Sequence, residues 1–334
     1  MGHRCCIHAG SSALTYFRAM KGKVLVTGGA GFIGSAVCAH LAELGATIHV
    51  LDDLSFGRRE LAPVPDDRFH QVDIRDRAAV MRVFDAVRPE RVLHLAAIHF
   101  IPYCNEHPVE AAEININGTI NVLDACASSP GCVQVFVAST AAVYPIHDGA
   151  VNEHHVTGPL DIYGTTKLAC ERFASEFHLR TGIATIVGRF FNAFGPNETN
   201  PHLIPEIQQQ LLSGSRTLRL GNLDPKRDFI HTHDMSRAMA ALLEKCVHGH
   251  HIFNIGRGVE YSVREVVEAF ERQLGERITI EVDPKRVRKV ERMHLLADVS
   301  ALKELTGWEP QWSIDEGVST LLKERSTTFD ERVG

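Results

Sequence analysis

The chain has 334 residues, a formal net charge of −6, 44% hydrophobic and 23% charged residues, which are ordinary values for a water-soluble globular protein. The mild acidity excludes a nucleic-acid role carried by a basic face, and no run is long and apolar enough to span a membrane. The 8 cysteines include no C-x-x-C pair and several fall in apolar runs, so they read as reduced, buried thiols and the expected location is cytoplasmic.

Residues 1–20 lack the apolar centre of a secretory signal and are expected to be a loose extension, with the fold starting after Met20. Beyond them, short β-branched runs alternate with helical patterns. The expected strands are 23–27, 47–51, 91–95, 133–138 and 184–187. The expected helices are 33–43, 77–87, 110–127 and 162–181. That alternation predicts parallel strands with crossover helices, hence an α/β doubly wound (Rossmann) sheet. The runs VLVT and VFVA suit strands covered on both faces. After about residue 190 the rhythm changes to Gly- and Pro-containing loops with helices near 232–245 and 263–274 and a strand near 278–282. The expected division is a cofactor domain over 21–190 and a smaller α/β substrate lobe over 191–330, with some chain returning to the sheet. The clusters His154-His155 and 248–251 lack a cysteine or carboxylate ligand set and read as surface loops, so no metal is expected.

Within this frame the first chemical signal is Thr27-Gly28-Gly29-Ala30-Gly31-Phe32-Ile33-Gly34, which leaves a strand and opens a helix. Such a loop brings backbone N–H groups to a pyrophosphate at the helix N-terminus. Asp52 and Asp53 end the next strand roughly twenty residues on, where an acid accepts from a ribose 2′-OH and repels a 2′-phosphate, so NAD is expected rather than NADP. Next, Ser139 and Thr140 end a strand at the carboxyl edge of the sheet. Finally, Tyr163 and Lys167 share one helix face. A phenol is a weak base at neutral pH, and a nearby ammonium favours its ionised form, which could take a proton from an alcohol as hydride leaves the same carbon.

These pieces, with LDDLS (51–55), HLAA (94–97), ININGTINVLDA (114–125), STAAVY (139–144), YGTTK (163–167), RFFNAFGP (189–196), RDFIH (227–231) and ADVSALKELTGWEP (297–310), resemble the extended short-chain dehydrogenase/reductase family of NAD-dependent sugar-nucleotide epimerases and dehydratases. The resemblance implies that Gly28, Gly31, Phe32, Ile33 and Gly34 hold the pyrophosphate. It implies that Asp52, with Asp53 beside it, holds the adenosine ribose, that Asp73 and Ile74 border the adenine, and that Leu95, Ala96, Ala97 and Ser139 line the cofactor channel. Thr140, Tyr163 and Lys167 are the implied catalytic trio, and Lys167 also binds the nicotinamide ribose. For the substrate, it implies Asn192, Arg227 and Arg288 at the diphosphate, Leu203 and Leu218 at the nucleobase, and His99 beside the sugar. Leu295 resembles a position that gates N-acetyl groups. The implied partners are an NDP-sugar, with UDP as the expected nucleotide, and a second copy of the chain in a homodimer.

Dehydratases of this family place Asp-Glu directly after the catalytic threonine, whereas this chain has Ala141-Ala142, which cannot transfer protons. The expected reaction is therefore 4-epimerisation through a transient 4-ketone. A dehydratase or another 4-keto-sugar-forming enzyme is the alternative, with an NAD-sensing scaffold as the non-enzyme alternative. His99, Tyr103 and Cys104 stand where relatives carry small polar residues, so they either shape the sugar pocket or act as extra acid/base groups.

Overall fold

The structure is a computed structural model that describes residues 20–198, 200–286 and 292–330, with side chains described through residue 323. Met20 is buried, and its N–H donates to Leu44 O at 2.8 Å.

Among the described residues, seven strands form one all-parallel sheet: β1 (Lys23–Thr27), β2 (Thr47–Asp52), β3 (Phe69–Gln71), β4 (Arg91–His94), β5 (Gln134–Thr140), β6 (Ala184–Phe190) and β7 (His250–Ile255). Their spatial order is β3-β2-β1-β4-β5-β6-β7, so the winding reverses between β1 and β4. The apolar runs follow from this burial. Every residue of β5 is buried, as is all of β1 beyond Lys23. Each such Val, Leu or Phe contributes roughly 1.5–3 kcal/mol when removed from water.

Two apolar layers cover the sheet. Helix Phe32–Glu43 packs with helix Thr232–Lys245 on one face, around Val37, Leu41, Met235 and Met239. Helices Arg77–Val87, Gly118–Ser128 and Ile162–Thr181 cover the other, around Phe84, Val122 and Phe177. The remaining lobe has its own core of Leu218, Phe229, Phe270 and Val318. In it, strand Lys226–His231 lies between Asn192–Phe194 and Glu260–Ser262, and Thr279–Val282 pairs with Thr217–Leu220. The chain passes back from this lobe through helix Thr232–Lys245 into β7, the sheet's edge strand.

Some expected elements differ from the observed ones. The single helix over 110–127 is instead a short helix Pro108–Ala112, a π turn Glu113–Asn117 and helix Gly118–Ser128. The wider turn is stabilised by the side chain of buried Asn115, which accepts from Ile98 N–H (2.8 Å) and donates to Ile98 O (2.9 Å) and Thr166 Oγ1 (3.0 Å). Hydrophobic period does not reveal such a turn, because its cause lies in two distant segments. β5 also runs two residues past the expected end, so Ser139 and Thr140 belong to the strand itself.

Candidate active site

The site lies where β1 and β4 part, at their carboxyl ends, as the topology of a doubly wound sheet requires. Buried His94 joins the two strands there, with Thr27 Oγ1 at 2.8 Å from Nδ1 and Thr119 Oγ1 at 2.8 Å from Nε2. Burial, reinforced by the field of Lys167, holds His94 neutral and moves its pKa down to about 3.

Helix Phe32–Glu43 starts at Gly31 without any side-chain cap, so its first-turn N–H groups are left for an anion. A Cβ on Gly34 would stand only 2.0 Å from Gly28 O, so the loop closes on the helix only with glycine there. Asp52 is 7% exposed beneath this loop, accepting from Ala30 N–H (3.0 Å) and Leu54 N–H (2.9 Å), with further lone pairs to offer a ribose. Asp53 is turned instead to Ser55, accepting from its N–H (3.0 Å) and Oγ (2.6 Å). Asp73 pairs with Arg75 at 2.6 Å, and Ile74 is buried in the sheet's outer core. Leu95, Ala96 and Ala97 follow β4, and Ala96 N–H donates to Thr27 Oγ1 at 3.3 Å, which holds this segment against the glycine loop.

Helix Ile162–Thr181 is capped by Asp161, which accepts from Gly164 N–H at 2.7 Å. A Cβ on Gly164 would meet Ala142 O at 2.5 Å. Glycine therefore lets the helix settle on the turn Ala141–Val143 and brings Tyr163 to Thr140. Burial is the largest influence on the Tyr163 phenol and raises its pKa, while the neighbouring Thr140 hydroxyl opposes it. Thr140 Oγ1 also accepts from Ala142 N–H at 3.1 Å. Lys167 is 1% exposed, and no hydrogen-bond partner of its ammonium is among the described residues. Such an ammonium is expensive to bury, and two ribose hydroxyls would satisfy it. Together with the uncapped helix and Asp52, this donor and acceptor set fits a dinucleotide.

The buried Ser139 hydroxyl donates to Glu171 Oε1 at 2.5 Å and so ties the strand end to helix Ile162–Thr181, which leaves the Ser139 backbone to line the channel. Glu171 in turn forms a bidentate pair with Arg189, at 2.9 and 2.7 Å. Strand Thr217–Leu220 alternates outward and inward residues, so the Leu218 side chain is 0% exposed inside the lobe core and its backbone is the part left to meet a base. Leu203 opens helix Leu203–Leu212 and packs on the rim of that core. Tyr103 donates to Glu110 Oε2 at 2.9 Å and Cys104 faces Ile98 O at 3.6 Å, so both are turned to the scaffold. His99 is the remaining member of that trio, and Asn200 holds it at 3.0 Å.

On the lobe side, Asn192 pairs in register with Phe229. Arg227 reaches Arg292 O at 2.7 Å. Arg288 lies outside the described residues. Arg292, which sequence reasoning missed within the charged run KRVRKVER, donates to Tyr144 O at 2.8 Å. Burial and the Arg227 charge lower its pKa, and Asp161 opposes them. Two adjoining guanidinium groups in a half-buried cleft match the charge of a diphosphate. Asp228, on the strand that carries Arg227, accepts from the N–H groups of Arg257 (2.7 Å), Gly258 (2.8 Å) and Ala297 (3.2 Å) and so ties these segments to the lobe.

A family model, GDP-mannose 4,6 dehydratase, matches residues 25–321. A UDP-glucose 4-epimerase of Corynebacterium glutamicum is 34% identical over 306 residues, covering 86% of this chain and 91% of its own. Among solved structures, a UDP-glucose 4-epimerase of Thermus thermophilus in complex with NAD superposes with a TM-score of 0.82 at 30% identity, covering 91% of this chain and 99% of that one. MoeE5, in complex with UDP-glucuronic acid and NAD, gives a TM-score of 0.81 at 30% identity and covers 92% of this chain and 100% of that one.

Proposed function

We propose that this chain, which belongs to the GDP-mannose 4,6-dehydratase family of extended short-chain dehydrogenases/reductases, is an NAD-dependent 4-epimerase of an NDP-sugar, with UDP as the nucleotide. The observation that carries this reading is the Thr140 hydroxyl beside the Tyr163 phenol, followed by Ala141 and Ala142 rather than acids. NAD, when bound, would supply the hydride acceptor and donor for C4. The chain's own part is to hold the dinucleotide through Gly28, Gly31, Phe32, Ile33, Gly34, Asp52 and Lys167, and to clamp the diphosphate with Asn192, Arg227, Arg288 and Arg292. Tyr163 Oη takes the C4-hydroxyl proton and gives it back, with Thr140 Oγ1 bonding the same oxygen. The cofactor residues fall within 21–190 and most substrate residues within 191–330.

Dehydration needs a further acid and base at C5 and C6, and the two alanines cannot supply them. Incubation of the NAD-loaded protein with UDP-glucose or UDP-N-acetylglucosamine, read by NMR and mass spectrometry, is expected to give the C4 epimer at unchanged mass. A product lighter by one water would sink the assignment.

The homodimer would bury the outward faces of Gly118–Ser128 and Ile162–Thr181, where Ile120 and Phe173 are exposed. Light scattering is expected to give twice the 36.9 kDa of the chain, and a stable monomer would refute the pairing. A cytoplasmic location accords with the free, buried state of Cys38, Cys104, Cys126, Cys132, Cys170 and Cys246.

A further inference from the structure

One wall of the cleft carries a polar network that proton and hydride transfer do not use. His99 lies close enough to Lys167 for the ammonium to disfavour its protonation; burial, His202 and Lys167 lower its pKa to about 4 against an opposing pull from Glu198, so the ring is neutral. Asn200 Nδ2 is 3.0 Å from His99 Nε2. An amide nitrogen only donates, so in this arrangement Nε2 accepts and the ring proton sits on Nδ1. Among the described residues His99 has no other hydrogen-bond partner, which leaves Nδ1–H for a ligand oxygen.

Asn200 also donates its backbone N–H to Glu198 Oε1 at 3.1 Å, and Glu198 Oε2 lies 3.5 Å from His202 Nδ1. The His202 ring stands 5.9 Å from those of both His99 and Phe100. The Glu198 side chain is only 5% exposed. Burial pushes its carboxyl up, but the His202 contact, the two imidazole fields and the Asn200 N–H outweigh this and hold it below the usual carboxylate range. Beside Lys167 this network therefore holds one buried carboxylate, contacted by His202, and one neutral donor. The cation beside His99, Lys167, is placed for the cofactor.

We infer that the Glu198–Asn200–His99 wall is a specificity-determining element that admits uncharged glycosyl groups and turns away uronates. The inference rests on the NDP-sugar reading above. A carboxylate on C5 would face Glu198 across a low-dielectric wall where like charges repel strongly, whereas a hydroxymethyl group or a hydrogen would not, and His99 can donate to a neutral sugar's oxygen. Rejecting a competitor by such repulsion is a common source of specificity.

The test measures kcat/KM of the NAD-loaded protein for UDP-glucose, UDP-N-acetylglucosamine and UDP-glucuronate, with Kd for each from calorimetry in the Tyr163→Phe background. The better neutral substrate is expected to exceed glucuronate by about 100-fold or more, and Glu198→Gln to shrink that ratio by roughly 10-fold. Because both substrates are read on one sample, partial loss of folded protein cancels. His99→Arg, which sets a cation on the same wall and leaves Glu198 in place, is expected to move the ratio the same way. Equal use of glucuronate by the unmodified protein, or a ratio unmoved in both variants, overturns the inference while leaving the epimerase reading intact. Failure of UDP and all three UDP-sugars to bind would instead remove the functional reading, and this inference with it.

Discussion

Tyr163→Phe is expected to keep NAD and to lose roughly 10²–10⁴-fold in kcat, the range a positioned acid/base group contributes. The substitution removes a single oxygen and retains the ring, so packing against Ile98, Cys104 and Ala111 is little disturbed. What disappears is the group that accepts the C4 proton when the sugar is oxidised and returns it when the ketone is reduced. Thr140 keeps its hydroxyl in the variant, but a hydroxyl of that kind is a far weaker acid than a phenol and cannot hold the negative charge between the two half-reactions. Cofactor released by denaturing the purified protein should match the unmodified chain in amount, while product formation followed by NMR should nearly cease. Turnover within about tenfold of the unmodified protein would show that another group moves the proton.

The second large effect is on stability. Glu171 and Arg189 have side chains only 4% exposed, and they are joined to Ser139, Tyr144 and Asn254 in one buried network. The Arg189 guanidinium also lies 4.9 Å from the Tyr144 ring centroid and donates to Glu153 O at 3.1 Å. Arg189→Met leaves Glu171 charged, buried and short of its two strongest donors. Removing one partner of such a pair costs about 3–5 kcal/mol. For a chain of this size that is a fall in Tm of roughly 4–7 °C. Adding Glu171→Leu to Arg189→Met removes the orphaned charge and is expected to recover a substantial part of the loss, because an apolar pair of similar volume escapes the desolvation cost. Urea denaturation of the two single variants and the double variant checks this. A single variant within about 1 kcal/mol of the unmodified protein would show that the pair adds little. The network also bears on catalysis, since Glu171 lies one turn beyond Lys167 and holds the helix that carries Tyr163.

The relation between sequence and site varies by residue. Gly34 and Gly164 were legible as members of motifs, yet the reason for each lies in a contact: Gly28 O for the first, Ala142 O for the second. Ser139 was read as a cofactor residue because it sits at a strand end beside Thr140. Its hydroxyl meets Glu171, two turns along the helix that carries Tyr163. The strand alternation that turns the Leu218 side chain into the lobe core becomes meaningful only once the lobe is folded. Arg292 and Glu198 left no local signal, since a charge in a charged run or a polar loop looks like ordinary surface until its partners are known.

The sequence by itself determined the α/β alternation, the strand-loop-helix that receives a dinucleotide, the acid after β2 and the Tyr163–Lys167 pair. These depend on periodicity and on spacings within one or two adjacent elements, which a linear reading contains. Only the tertiary structure decided that Asn115 opens a π turn to hold Ile98, that Glu171 and Arg189 form a buried pair, and that Arg292 comes to lie beside Arg227. It also decided that Glu198 and Asn200 close on His99. Each of these joins segments between 17 and 101 positions apart, or charges whose state depends on burial, and neither distance in space nor dielectric environment is written in local order.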